Sequence, residues 1–441
     1  MFRALANASN ALVTRLLPDP FIFVALLTLL VLALGVLLTP HTLPQMVQFW
    51  GDGFWELLAF TMQMALVLVT GHALASTPFF RRLLGGLAGL AKTAPAAIVL
   101  VTAVSLVANW INWGFGLVIG AIFARELARR VPGVDYRLLI ASAYSGFVIW
   151  HAGFSGSIPL TIATPDHFLE GQIGLIPTSQ TIFAPFNLIL VGVLALLIPL
   201  VNRAMLDREH PVVVDPALLA EKAPAAAWAP ADQTPAQRLE NSPVLSLLLG
   251  GLGLAFLAMY FAAEGFKLNL NIVNFAFLFL AILLHGTPAR FIAATTEAVQ
   301  GAAGILIQFP FYAGLAGMMA GSGLIERVSD AFVAMSTPQT FPVLAFWSAG
   351  LVNIFVPSGG GQWAVQGPVM VQAAQSLGAS LPKTAMAVAW GDAWTNMIQP
   401  FWALPALAIA GLHARDIMGY CLVILLLVGA VVSLGLYLLP G

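Results

Sequence analysis

Asp392 is the one acidic residue placed well inside an apolar stretch of this 441-residue chain, and Thr395, Asn396 and Gln399 bring three more polar side chains to the same place before Pro400. An acid at bilayer depth costs at least about 2.5 kcal/mol unless compensated, so Asp392 reads either as a proton or cation site or as a structural hydrogen-bonding group. Three other polar runs interrupt apolar sequence: Asn109-Trp110-Ile111-Asn112-Trp113-Gly114, Gly153-Phe154-Ser155-Gly156-Ser157-Ile158-Pro159 and Asn353-Ile354-Phe355-Val356-Pro357-Ser358-Gly359-Gly360-Gly361. Gly and Pro free backbone groups that lipid cannot satisfy, so each run belongs where lipid is absent. Half-helix N-termini there can hold an anion, and exposed carbonyl groups a cation. On this reading Asn112, Ser155, Ser157, Ser358, Gly359, Gly360, Thr395 and Asn396 form the shell for a small anion. Asn109, Asn353, Asp392 and Gln399 serve a coupling ion, H⁺ or Na⁺. No Lys or Arg lies within the four runs, so a carboxylate must be held by backbone N–H groups, hydroxyls and amides.

Plainer readings stand beside these. Pro357 to Gly361 also reads as a tight turn, and Asn109 and Asn112 as caps of two half-helices. Trp110, Trp113, Trp363, Trp394 and Trp402 either shape an apolar cavity or pack helices. The run Gly153-Phe154-Ser155-Gly156 resembles the nucleophile region of rhomboid-type serine proteases, a role that needs a base within reach, for which His72 and His151 inside spans are the histidines to weigh. His151 precedes Ser155 by one helical turn and is a site neighbour or a packed histidine; His72 reads as packed. No His/Asp/Glu cluster has metal-ligand spacing and no phosphate-cradling loop is present, so no cofactor is expected. Cys421 is alone and excludes a disulfide framework.

The elements that position these runs follow from hydropathy. Charged residues are 8% of the chain and AVILMFWYC residues 60%, too apolar for a soluble fold, while a net charge of −1 without a long basic run excludes nucleic acid. Nine stretches are long enough to span a bilayer: 21–39, 57–77, 138–163, 182–201, 243–263, 272–286, 298–320, 384–410 and 418–439. Two further uncharged stretches, 96–124 and 340–378, read as the cores of hairpins, about 96–130 and 340–378, that enter and leave on one side. With the N-terminus cytoplasmic and the C-terminus external, this topology puts 15 of the 18 Lys and Arg residues inside, leaving only Lys267, Arg327 and Lys383 outside.

The fold expected is therefore an all-α polytopic membrane protein, an inverted-repeat transporter with two re-entrant helical hairpins and two discontinuous transmembrane helices. Residues 1–201 form the first repeat, with its broken helix about 138–163. Residues 202–242 are a cytoplasmic linker rich in Ala, Pro and charge, and 243–263 a connecting helix. The second repeat is 264–441, with its broken helix about 384–410. Asn109 lies 50 residues before Pro159 and Asn353 lies 47 before Pro400, the same layout in opposite orientation.

Trp50-Gly51-Asp52-Gly53-Phe54-Trp55, Gln63-Met64-Ala65-Leu66-Val67, Ile111-Asn112-Trp113-Gly114-Phe115-Gly116, Val356-Pro357-Ser358-Gly359-Gly360-Gly361-Gln362-Trp363 and Gln399-Pro400-Phe401-Trp402-Ala403-Leu404-Pro405 closely resemble the bacterial short-chain fatty acid transporter family. The resemblance covers essentially the whole chain. It implies uptake of acetoacetate, butyrate or similar acids across the bacterial cytoplasmic (inner) membrane, with no enzymatic activity. More distantly the layout is similar to the ion transporter superfamily, which implies a homodimer with a scaffold and a moving transport domain. Ala152 and Ala393 depart from the family pattern, where glycine and glutamine are expected. Transporters for dicarboxylates or peptide-like acids, and an intramembrane serine hydrolase, are the competing readings.

Overall fold

The computed structural model describes residues 20–207, 211–214, 219, 234–354 and 356–441. Most of the expected linker lies outside them, as do Arg3, Arg15, Arg208, Lys222 and Phe355. The described residues contain helices and no strand.

The first half runs α1 (Pro20–Leu38), α2 (Leu43–Gly53), α3 (Leu58–Ala75), α4 (Pro78–Ala88), α5 (Ala94–Ile111) and α6 (Trp113–Arg130). Next come α7 (Tyr136–Ser145), a 3-10 turn over Gly146–Ala152, α8 (Ser157–Thr161), the four-residue α9 (Glu170–Ile173) and α10 (Pro185–Ala204). After a six-residue α11 (Pro235–Glu240), the second half runs α12 (Pro243–Glu264), α13 (Leu270–His285), α14 (Pro288–Gln300), α15 (Ala303–Ser322) and α16 (Leu324–Met335). It closes with α17 (Phe341–Asn353), α18 (Gly359–Leu377), α19 (Leu381–Thr395), a 3-10 turn over Asn396–Ile398, α20 (Pro400–Ala410) and α21 (Ala414–Leu438).

The punctuation is chemical. Pro sits in the first turn of many helices, where a missing N–H is harmless. Side chains of Thr93, Asn112, Asp135, Asn269, Ser358 and Ser380 accept an N–H from the first turn they precede. Four helices stop at Gly286, Gly323, Gly378 and Gly411, all at positive φ.

Eight helical segments among the described residues are long and apolar enough to cross a membrane. Seven coincide with expected spans; the eighth is α5, the first arm of the expected hairpin. The other two expected spans are shorter than a simple crossing: α13 has 16 residues, and 384–410 is divided between α19 and α20. Burial orders them radially. Only 17% of the α1 window and 22% of the α12 window are buried against 94% of Tyr136–Thr161, so the broken segment is central and α1 and α12 face outward.

The first hairpin folds back at one residue, Asn112 (φ −158°, ψ 128°). Gly116 then lies on Asn109 and Gly120 on Ser105, an antiparallel pairing so close that a Cβ on Gly116 would sit 2.5 Å from the Asn109 Cα. In the second, Gln362 Nε2 donates to the Ala349 carbonyl (2.9 Å) and Gln366 Nε2 to Ser348 Oγ (2.7 Å), tying α18 to α17. Each broken helix crosses the first arm of its own hairpin at a glycine. A Cβ on Gly146 would meet the Ser105 carbonyl carbon at 2.6 Å, and one on Gly391 the Phe346 carbonyl oxygen at 2.3 Å.

Candidate functional site

Both hairpin tips rest on the break in the helix that follows. At the first, Ser155 Oγ accepts the Trp113 N–H (2.9 Å), the Phe154 N–H reaches the Trp110 carbonyl (2.7 Å), and Trp110 Nε1 donates to the Ala152 carbonyl (3.1 Å). At the second, Asn353 Nδ2 donates to the Asp392 carbonyl (2.8 Å) and to Thr395 Oγ1 (2.9 Å), and Gln399 Nε2 donates to the Asn353 carbonyl. Helical backbone that stops mid-membrane strands N–H and C=O groups, and these bonds are where they go.

The two breaks also meet each other. Trp150 Nε1 donates to Asn396 Oδ1 (3.0 Å), the Tyr144 hydroxyl to the Asn396 carbonyl (2.7 Å), and His151 Nδ1 lies 2.8 Å from Asp392 Oδ2. The start of α18 leans on this contact: a Cβ on Gly359 would be 2.5 Å from His151 Cε1 and 3.2 Å from Asp392 Oδ2. Only glycine fits there.

Of the residues assigned to an anion shell, Asn112 caps α6 by accepting the Phe115 N–H (2.9 Å), and Ser358 caps α18 by accepting the Gly361 N–H (3.4 Å). Ser155, Gly359, Thr395 and Asn396 lie in the junction as described, with Thr395 Oγ1 also donating to the Gly350 carbonyl (3.0 Å). Ser157 opens α8 and its carbonyl takes the Thr161 hydroxyl (2.5 Å), while Gly360 packs on Phe60 and Met64 of α3. Of the coupling-ion group, Asn353, Asp392 and Gln399 cluster at the second break. Asn109 does not reach either break by a hydrogen bond: its Nδ2 donates to the Ser105 carbonyl (2.8 Å) one turn back in α5. His72 is not among the junction contacts, and the Ala73 carbonyl beside it takes His285 Nε2 (2.8 Å). Ala393 and Ala152 are buried, and Ala152 contributes only its carbonyl.

Sequence reading underweighted His151 and did not single out Trp150 or Tyr144. Their one signal was proximity to Gly153, since the helix stops at Ser145, two turns earlier than the glycines indicate. The hydrolase arrangement is not built. His151 Nε2 accepts the Ile158 N–H (3.0 Å) and Nδ1 faces Asp392, so neither ring nitrogen serves Ser155.

Several polar atoms here are buried with no protein partner: Asn112 Nδ2 and Trp113 Nε1 as donors, Asn109 Oδ1, Asn353 Oδ1, Gln362 Oε1 and Asp392 Oδ1 as acceptors. A buried unsatisfied group costs about 1–3 kcal/mol, so these atoms are free to take up partners that the protein itself does not supply. The junction offers N–H groups to an anion and oxygen to a cation. Among the described residues no group of three His, Cys, Asp or Glu could hold a metal ion.

Comparison with known proteins bears on what those partners are. A family model described as "Short chain fatty acid transporter" matches residues 1–439. A protein of Escherichia coli (strain K12) named "Putative short-chain fatty acid transporter" is 51% identical over 439 residues, covering 99% of this chain and 100% of that protein. One of the same name from Haemophilus influenzae is 44% identical over 447 residues, covering both chains completely. Among solved structures, the crystal structure of the Alcanivorax borkumensis YdaH transporter superposes with a TM-score of 0.57 over 96% of this chain and 97% of that one, at 16% identity, a likeness of fold.

Proposed function

Because the chain belongs to the short-chain fatty acid transporter family and is a multi-pass membrane protein, we propose that it imports short-chain monocarboxylates such as acetoacetate or butyrate together with a cation. The observation that carries this is the junction itself: two hairpin tips and two helix breaks meet around buried N–H donors and oxygen acceptors without protein partners. Asn112, Ser155, Ser157, Ser358, Gly359, Gly360, Thr395 and Asn396 form the carboxylate shell, and Asn109, Asn353, Asp392 and Gln399 the coupling-ion side. The cation is required because an inside-negative potential opposes anion entry by about 2.3 kcal/mol per charge per 100 mV.

The halves are inverted repeats, their hairpins opening from opposite faces. Three parallels support this: N-caps Asn112 and Ser358 share a near-identical backbone (φ −158° and −157°), the glycine crossings recur, and each half carries two short amphipathic helices, α2 and α4 against α14 and α16. In this reading α12 is the unpaired connecting helix, and the junction helices move as one body against the amphipathic frame of a homodimer in the bacterial inner membrane, N-terminus cytoplasmic and C-terminus external.

Uptake of labelled butyrate into proteoliposomes under imposed H⁺ or Na⁺ gradients tests the proposal, with protein-free liposomes subtracted. Saturable, gradient-dependent accumulation is expected. Flux that neither saturates nor responds to a gradient removes the symport reading, and competition by dicarboxylates instead of butyrate moves the substrate class.

A further inference from the structure

We infer that the coupling ion is a proton, taken up by the buried His151–Asp392 pair, and that the pair must be protonated before a carboxylate can enter the junction. The inference rests on the transport reading above and adds the ion, its site and the order of binding.

The pair is wholly buried and joins the two broken helices across a 2.8 Å contact. Its proton inventory follows from its neighbours. Nε2 of His151 is an acceptor, because the Ile158 N–H points at it at 3.0 Å. The ring is therefore the neutral tautomer with its hydrogen on Nδ1, donated to Asp392 Oδ2. The other carboxylate oxygen, Oδ1, is buried and has no protein partner. With Asp392 ionised the junction holds one negative charge that the imidazole N–H does not cancel. A proton placed on Oδ1 makes the pair neutral, removes the cost of an uncompensated buried charge and turns that oxygen into a hydroxyl donor.

No other charge intervenes. α5, α8, α17 and α18 carry no charged residue, and Arg125 to Arg130 on α6, Arg137 on α7, Arg203 on α10 and Arg415 and Asp416 on α21 stand at the helix ends remote from the breaks. Lys383 starts α19 more than two turns from Asp392 and donates to the Leu439 carbonyl. The other titratable groups on neighbouring elements are Tyr144, whose hydroxyl is donated to the Asn396 carbonyl, Tyr312, which packs on Gly361 and donates to Gln308 Oε1, and the buried Cys421 of α21.

A carboxylate entering this low-dielectric space next to ionised Asp392 meets an uncompensated like charge; next to the protonated pair it meets none. Proton and substrate therefore favour each other's binding, and the loaded junction carries only the substrate's own charge. Gly359 is the contact through which the pair's state reaches the second hairpin, since a Cβ there would meet both members.

The test is the dissociation constant of butyrate for the purified full-length protein, measured from pH 6 to pH 9 with and without Na⁺. Butyrate stays ionised throughout, so pH dependence belongs to the protein. Above the pair's titration point affinity should weaken about tenfold per pH unit, with uptake of up to about one proton per butyrate bound, and Na⁺ should have no effect. Asp392→Asn should abolish both the slope and the proton uptake; if that variant does not fold, the wild-type series alone decides. Binding that is flat in pH, or tightened by Na⁺, overturns the inference while leaving transport intact. Failure to bind or exchange any short-chain acid overturns the underlying reading instead.

Discussion

Gly359 sets the sharpest single-residue expectation. Any side chain there enters the space between His151 and Asp392, both buried and both hydrogen-bonded, so neither can retreat. Gly359→Ala should lower thermal stability by about 1–3 kcal/mol, the range of an overpacked core, and slow butyrate exchange at least tenfold. Gly251→Ala is the control: it lies in α12 with nothing within 4 Å of a new Cβ, and should be neutral or stabilising by up to about 1 kcal/mol with exchange unchanged. Equal effects from the two would sink the argument. In the loop after α8, His167 Nδ1 accepts the Leu169 N–H and Nε2 donates to the Gly174 carbonyl, and burial lowers its pKa below the ordinary value, only partly offset by the Gly174 bond and Glu170. The unfolded chain then takes the proton first, so this group leaves stability unchanged above about pH 6.5 and lowers it as pH falls below that. A melting-temperature series from pH 7.5 to 5.5 should decline, and His167→Gln should flatten it.

At the scale of elements, the expectation is which ends of the hairpins share a face. In a Cys421→Ser background, Thr93→Cys and Pro132→Cys flank the first hairpin, and Thr340→Cys and Ser376→Cys the second; all four positions are exposed. Impermeant thiol labelling should reach the first two from one side of the membrane and the second two from the other. A pair split across the membrane would turn that hairpin into two crossings and dissolve the inverted repeat. In the second hairpin α17, with 13 residues, rises only about 20 Å, too little for a simple crossing of a hydrocarbon core about 30 Å thick. Gly116 and Gly120 hold the first hairpin closed by backbone approach, and Gln362 and Gln366 hold the second by side-chain bonds, so the second is the more readily opened.

The whole molecule is layered, with broken helices at the centre and lipid-facing spans such as α1 and α12 outside. A moving core needs a fixed frame, and the homodimer proposed here supplies one. Native mass spectrometry of the solubilised protein should find about twice the 46.6 kDa chain mass, and a purely monomeric particle that still exchanges butyrate would remove the dimer from the mechanism.

Composition alone determined the solvent: a chain with 8% charged residues can only bury itself in lipid. Local chemistry determined the helices and their interruptions, because Gly, Pro, Asn and Ser act through backbone geometry and caps within a few residues, which is why Asn112 was legible as a cap, whereas Asn109, read the same way, lies inside α5 and Ser358, read as part of a turn or ligand site, is the matching cap of α18. Sequence placed the first break too late, since Gly146–Ala152 carries no breaker after its first residue, yet it leaves α-geometry where Trp150 and His151 meet Asn396 and Asp392 of the second half. The pairing of His151 with Asp392, 241 residues apart, has no periodicity or spacing behind it. Which polar atoms stay unpartnered was likewise decided by tertiary structure, because a donor or acceptor is left over only after every neighbour the fold brings has been counted.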